Sequence, residues 1–158
     1  MKRVLATGFG IVLATGLAMA TPSVSPEDVV ARHYVAEEAG EMLGNWKDWH
    51  PEATQKITIK YGLGQPDDEF TIAMSDLSKP LDIKDIPSAE KDYTERTRDP
   101  REITVEDAEG EITITASQKI HYTWRGYDGT MVQTDAFRMT TILGQPKIRS
   151  LTTTLDYR

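Results

Sequence analysis

The C-terminal third of the chain alternates between two kinds of residue, and this alternation predicts long strands. From residue 111 to 124 one predicted face consists of Ile112, Ile114, Ala116, Gln118, Ile120, Tyr122 and Trp124. The residues between them are Thr, Ser, Lys and His, so one face of this strand packs and the other meets water. Further strands are predicted near 102–107, from the turn at Asp128-Gly129 to about 143, and over KIRSLTTTLDY.

The dipeptide Asp128-Gly129 predicts a two-residue type I′ turn between the two longest strands. With this turn the opposed pairs are Tyr122 with Asp135, Trp124 with Gln133, and Ile120 with Phe137. Met131 and Met139 then join the same apolar face, and a one-residue slip would destroy that agreement. The register therefore points Asp135 inward.

The segment after residue 24 begins with a helix signal, because Ser25 is a good N-cap and Pro26 suits the first helical position. The spacing predicts a helix from about 26 to 43. Its predicted core stripe is Ala31, Val35, Ala39 and Met42, with Tyr34 at the edge and His33, Glu37 and Glu41 on the other side.

Three shorter patterns complete the predicted elements. GNWKDWHPEA predicts a short helical turn that lays Trp46 and Trp49 against a sheet. TQKITIKY and DEFTIAMS both alternate, which predicts a hairpin across GLGQPDD. The polar stretch from 76 to 100 predicts one helix at about 88–97, capped by Ser88. The fold class is therefore α+β.

The first 20 residues resemble a secretory signal peptide, with Lys2 and Arg3 ahead of an apolar run and the small-x-small pattern at Ala18 to Ala20. The run is too short and too weakly apolar for a membrane span. We expect an exported bacterial protein, periplasmic or secreted, with no membrane anchor after cleavage and a single domain at 21–158.

The net charge and the cysteine content exclude several classes of partner and of chemistry. The net charge of −7 becomes −9 when Lys2 and Arg3 are removed, and such an acidic chain is a poor partner for nucleic acid. The chain has no cysteine, which excludes disulfides and thiolate chemistry. His33, His50 and His121 lack ligand spacing, so we expect no metal and no cofactor.

An inward carboxylate at Asp135 needs partners, because an isolated buried charge is costly. One interpretation is a hydrogen-bonded core acid that fixes the sheet. The other is an acid in a ligand cavity formed where the sheet curls around its apolar face, with the first helix closing the end. The candidate cavity residues are Gln118, Tyr122, Trp124, Gln133, Phe137 and Met139.

The order of elements resembles that of the nuclear transport factor 2-like superfamily, which includes SnoaL-like cyclases and ketosteroid isomerases. The segments YTWRGYDGTMVQTDAFRM and KIRSLTTTLDY look like the final hairpin and closing strand of that family. The resemblance implies a cone-shaped α+β barrel in which a curved mixed or antiparallel sheet of about six strands wraps around N-terminal helices. It also implies a homodimer through the outer face of the sheet.

The segment RHYVAEEAG is similar to the first helix of ketosteroid isomerases. Carried across, the resemblance makes Tyr34 the oxyanion-binding tyrosine and Asp135 the protonated acid that donates a hydrogen bond; this pair is the standard example for ketosteroid isomerase. The first strand, EATQKITIKYG, offers Lys56 and Lys60 where that enzyme has its proton-shuttling acid. The missing acid argues against isomerase chemistry.

Three functions stay open at this point. The first is a binding module for a small, largely apolar ligand, or a dimeric module. The second is an isomerase, cyclase or dehydratase that uses Asp135 as acid or base and Tyr34 or Tyr122 as the orienting phenol. The third is a structural or protein-interaction domain. A second titrating group near Asp135 in an open cavity would favour the enzyme.

Overall fold

The computed structural model describes residues 23–39, 46–62, 64–75 and 93–157. The elements are helix α1 (Pro26–Glu38), a 3-10 turn (Trp46–Asp48), and strands β1 (Trp49–Lys60), β2 (Asp68–Ala73), β3 (Tyr93–Arg98), β4 (Glu102–Ala108), β5 (Glu111–Trp124), β6 (Tyr127–Ile142) and β7 (Gln145–Tyr157). The predicted signal peptide at 1–20 and the predicted helical residue Met42 lie outside the described residues. In the part that is described, no helix is long and apolar enough to cross a membrane.

The seven strands form one mixed sheet in the order β2-β1-β7-β6-β5-β3, with β4 also paired to β5. The β1–β7 pair is parallel and the other pairs are antiparallel. The predicted α+β class and the mixed sheet are confirmed. The sheet is not closed or strongly curled, and it has seven strands where about six were predicted.

Helix α1 begins as the sequence predicts, with Ser25 and Asp28 forming a reciprocal capping box. The predicted core stripe is wrong, because Ala31, Val35 and Ala39 are exposed. The buried residues are Val29, Val30, His33, Tyr34 and Ala36. Both stripes have helical spacing, and the polar His33 and Tyr34 are buried because the sheet supplies aromatic and carboxylate partners for them.

The hairpin between β5 and β6 turns at Arg125-Gly126, where both residues have positive φ (50° and 81°), as a type I′ turn requires. The predicted turn at Asp128-Gly129 is therefore wrong. Gly129 is instead a strand residue opposite Tyr122, whose ring lies over it.

The observed register places Asp135 opposite Ala116, whereas the predicted register placed it opposite Tyr122. The difference is six positions along β5. Because side chains alternate with a period of two, an even shift leaves every residue on its predicted face. The inward position of Asp135 is therefore confirmed although the turn was misplaced.

Some of the other local predictions are confirmed and others are wrong. The hairpin of β1 and β2 is confirmed, and Trp49 is buried, but Trp46 is 72% exposed. The helix predicted at about 88–97 is wrong over residues 93–97, which belong to strand β3; its start at Ser88 lies outside the described residues. Strand β4 is confirmed, and it turns into β5 at Glu109 and Gly110, which both have positive φ.

Strands β3 and β4 pair with successive parts of the same edge of β5. Pro100, which has no N–H, lies at the break between them. The Asp99 N–H still bonds the Lys119 carbonyl at 2.9 Å, and the Gln118 amide donates to the Asp99 carbonyl at 2.8 Å. Arg101 lies at this break and belongs to neither strand.

The core lies between α1 and the inner face of the central strands. Its buried members are Val29, Val30, Tyr34, Trp49, Ala53, Ile114, Ala116, Phe137, Met139, Ile148 and Leu151. Phe137 is fully buried and meets His33 and Tyr34 edge to face, at centroid distances of 5.2 and 5.8 Å. Side chains from α1 thereby reach the middle of β6.

Candidate functional site

The Asp135 carboxylate is the most deeply buried acid among the described residues, with 2% of its surface exposed. The Tyr34 hydroxyl donates to Oδ2 at 2.9 Å and the Gln133 amide donates to the same oxygen at 2.8 Å. The Thr153 hydroxyl donates to Oδ1 at 2.7 Å. Both carboxylate oxygens are therefore satisfied by the protein itself.

These three donors come from three elements that the fold brings together. Gln133 lies two residues before Asp135 and so shares its face of β6. Thr153 is the residue directly opposite Asp135 on β7. Tyr34 descends from α1, and burial together with the neighbouring Asp135 carboxylate raises the pKa of Tyr34 far above its usual range. The phenol therefore keeps its proton and is the donor.

Arg101 covers the other side of Tyr34. Its guanidinium carbon lies 3.4 Å from the centroid of the phenol ring, a cation–π contact. The same guanidinium donates to the Gln118 side-chain oxygen at 2.9 Å. Gln118 thus braces the β3–β4 break through its amide and orients Arg101 through its carbonyl.

A cavity of about 320 Å³ adjoins Asp135, between the end of α1 and the inner face of the sheet. Its lining residues are His33, Glu37, Gln55, Ile57, Glu95, Arg98, Ile120, Met131, Gln133, Asp135, Thr153 and Leu155. The size falls within the range of small-molecule sites. Four of these residues are apolar and eight are polar, and the polar residues carry both signs of charge.

Burial shifts the pKa of two titratable groups of this wall, Glu37 and His33. Desolvation by burial raises the pKa of Glu37 above its usual range, the Asp135 carboxylate raises it further, and a hydrogen bond from Gln133 opposes the shift. Desolvation lowers the pKa of His33, more than the nearby Asp135 carboxylate raises it. His33 is therefore neutral near pH 7. The surroundings of Glu37 disfavour its ionised form.

Two buried polar atoms of the wall lack a hydrogen-bond partner among the described residues. These atoms are Oε1 of Gln55 and Nδ1 of His33. Gln55 is 9% exposed and His33 is 5% exposed. Unpaired buried polar groups are uncommon and costly, so both atoms mark places where a ligand or water would bind.

The predicted cavity residues lie in four different places, and Gln118 lies outside the cavity, at the break between β3 and β4. Gln133 lines the cavity, together with Asp135. Phe137 and Met139 lie in the core below it. Tyr122 and Trp124 lie toward the hairpin end of β5, where Trp124 is 39% exposed and Tyr122 packs edge to face on Tyr157.

Sequence reasoning missed most of the polar residues of the site, namely His33, Glu37, Gln55, Glu95, Arg98, Arg101 and Thr153. The predicted stripe placed Glu37 on the opposite side of the helix, and the run of three threonines at 152–154 gives no contrast that would mark Thr153 as inward. Gln55 attracted no attention, although alternation with Ile57 and Ile59 places it inward. Arg101 follows the break at Pro100; the proline is a sign of the break, but no pattern in the sequence indicates that Arg101 contacts Tyr34.

Lys56 and Lys60, at the place of the missing acid, are both exposed, and Lys56 forms a 2.8 Å ion pair with Glu69. Across the described ranges, no group of three His, Asp or Glu residues is placed to hold a metal ion. A larger depression of about 450 Å³ lies near Pro26, Glu111 and Arg138, far along β6 from Asp135. It carries no comparable set of buried polar groups.

No protein-family model matches this chain, and no curated protein matches it either.

Proposed function

We propose that this chain is an exported, single-domain binding module of the nuclear transport factor 2-like kind, which holds a small, largely apolar ligand in the cavity beside Asp135. The observation that carries the proposal is the cavity itself, whose wall joins an apolar side to a cluster of buried polar groups. The cavity lies between the first helix and the inner face of the sheet.

The hydrogen bonds of Asp135 support binding over catalysis by this residue. Its oxygens already accept three bonds from Tyr34, Gln133 and Thr153. In the isomerase arrangement the tyrosine and the acid both donate to the substrate. Here the tyrosine donates to the acid, so the pair stabilises the cavity wall.

A thermal-shift screen with steroid, aromatic polyketide-like and fatty-acid ligands tests the proposal. A ligand that binds only the folded state raises the melting temperature. Leu155→Trp fills the cavity and is expected to abolish the shift. Thr152→Trp adds the same side chain on the exposed face of the same strand and is expected to keep it. No shift with any ligand class, or equal shifts in both variants, would contradict the proposal.

One observation favours a second candidate, a proton-transfer enzyme of the isomerase, cyclase or dehydratase kind. Glu37 supplies a carboxylate in the cavity wall that the first strand lacks, and its pKa is raised toward the range useful for a base. The test is exchange of carbon-bound hydrogen in a β,γ-unsaturated ketone in D2O, followed by NMR. Catalysed exchange that is lost in Glu37→Gln would support the enzyme.

A further inference from the structure

We propose that the cavity beside Asp135 selects ligands whose polar end is a protonated amine, in preference to a hydroxyl or a carboxylate. This inference rests on the proposed function, because it names the chemical class that the same cavity takes.

The first support is the set of acceptors in the wall. Oε1 of Gln55 is buried and without a partner among the described residues, and a carbonyl oxygen can only accept. Nδ1 of His33 is equally unpaired, and a neutral imidazole nitrogen can accept. An ammonium group has three N–H donors and no acceptor, so it suits such a wall.

The second support is the distribution of charge. Three carboxylates line the cavity, those of Glu37, Glu95 and Asp135. Two guanidiniums act on them, those of Arg98 in the wall and Arg101 behind Tyr34. Taken as formal charges, with His33 neutral, the site carries a net charge of −1. One monocation would balance it.

The two guanidiniums of the site are engaged mainly by other groups, which leaves Glu37 the carboxylate best placed to receive the ligand. Arg98 holds Glu95 in a two-point pair at 2.6 and 2.9 Å, while its remaining nitrogen lies 4.0 Å from Glu37. Arg101 is held by the Tyr34 ring and Gln118. The half-buried Glu37 carboxylate, which accepts a hydrogen bond from Gln133 and lies 4.0 Å from Arg98, gains from a cation brought by the ligand.

The apolar side of the cavity determines which body the ligand can have beyond its amine. Ile57, Ile120, Met131 and Leu155 line the other side of the cavity. We therefore expect a primary or secondary amine on a compact apolar body, with the nitrogen toward Glu37 and Gln55.

The test compares three probes of the same shape, 2-phenylethylamine, 2-phenylethanol and phenylacetate, by calorimetric titration at neutral pH. We expect the amine to bind more tightly than the alcohol by on the order of tenfold, the usual advantage of a charge-assisted hydrogen bond. The carboxylate is expected not to bind. Leu155→Trp, which fills the cavity, is expected to abolish amine binding.

Glu37→Gln removes the charge and keeps the shape of the wall, so the preference for the amine over the alcohol is expected to fall to about twofold or less, since the charged acceptor is gone. Glu106→Gln is the matched control, since it removes the same charge from an exposed position on β4. It is expected to leave the preference unchanged, which separates binding in the cavity from attraction of a cation to an acidic surface.

Equal binding of amine and alcohol, with both lost in Leu155→Trp, would overturn the amine preference and leave the cavity as a binding site. Binding of the amine that survives Leu155→Trp, or that falls equally in Glu37→Gln and Glu106→Gln, would also overturn it. Absence of binding by all three probes would overturn this inference, whereas the proposed function would fail only if the wider ligand screen were also negative.

Discussion

The Tyr34 hydroxyl donates a 2.9 Å hydrogen bond to Oδ2 of Asp135 across 101 residues of chain, from the only α-helix described to the middle of the sheet. Helix α1 is also held by apolar packing, by the Arg32–Asp48 pair at the 3-10 turn, and by polar contacts of Glu37 at the cavity. Among these contacts, the Tyr34–Asp135 bond joins the helix to the most deeply buried carboxylate described.

Asp135→Asn is expected to destabilise the fold by about 2–3 kcal/mol. The amide places an N–H₂ group at one of the two oxygen positions, both of which face donors from Tyr34, Gln133 or Thr153. Urea unfolding measures the change. Asp67→Asn, at an exposed position, is the matched control and is expected to change stability by less than ~0.5 kcal/mol.

The coupling between Tyr34 and Asp135 is itself measurable. Tyr34→Phe removes only the hydroxyl, and we expect it to cost about 1–2 kcal/mol in the wild-type background. In the Asp135→Asn background the same change is expected to cost about 1 kcal/mol less, because its acceptor is already altered. Additive effects in this cycle would show that the bond contributes nothing to stability.

Glu37 gives a pH dependence with a definite sign. Its pKa in the folded state lies above the ordinary value of 4.5, because of burial and the Asp135 carboxylate. The protonated side chain favours the folded state, so this contribution is fully present below pH 4.5 and is lost as pH rises through the raised pKa. Glu37→Gln is therefore expected to match the wild type in acid and to be more stable than it at pH 7.

Thermal unfolding of the two proteins from pH 4 to 7 measures this difference. The lowered pKa of His33 acts in the opposite direction, since the unfolded chain takes up a proton as pH falls below 6.5. It is common to both proteins, so the difference between them isolates Glu37. A stability difference that is constant with pH would contradict the assignment.

Much of the sheet could be predicted from the sequence. The alternation of apolar and polar residues in β5, β6 and β7 leaves only two choices for each strand, namely which of its two faces points toward the core. The inward position of Asp135 depends only on this choice of face. It was therefore predicted correctly, although the turn was predicted at Asp128-Gly129 and lies at Arg125-Gly126. Asp-Gly is the stronger turn signal by composition. What overrides it is the Tyr122 ring, which needs Gly129 opposite it in the strand.

The cavity wall could not be predicted in the same way. Apolar periodicity cannot identify a helix face that buries His33 and Tyr34, because these residues are buried by partners far away in sequence. Thr153 likewise faces inward within a run of three threonines, where composition gives no contrast. Arg101 lies between β3 and β4, where the pairing with β5 is interrupted, and from there its side chain reaches Tyr34.

Gly129→Ala tests the account of the misplaced turn. A methyl group at this position would lie 2.5 Å from Cζ of Tyr122, closer than real contacts allow, so the ring must move. Part of its edge-to-face contact with Tyr157 is then lost, and we expect a cost of about 1–2 kcal/mol in urea unfolding. In the Tyr122→Ser background no ring stands in the way. There Gly129→Ala is expected to be neutral or to stabilise the fold by about 0.5 kcal/mol, since alanine loses less backbone entropy than glycine in a strand. An equal cost in both backgrounds would mean that backbone geometry, and not the Tyr122 ring, requires glycine at this position.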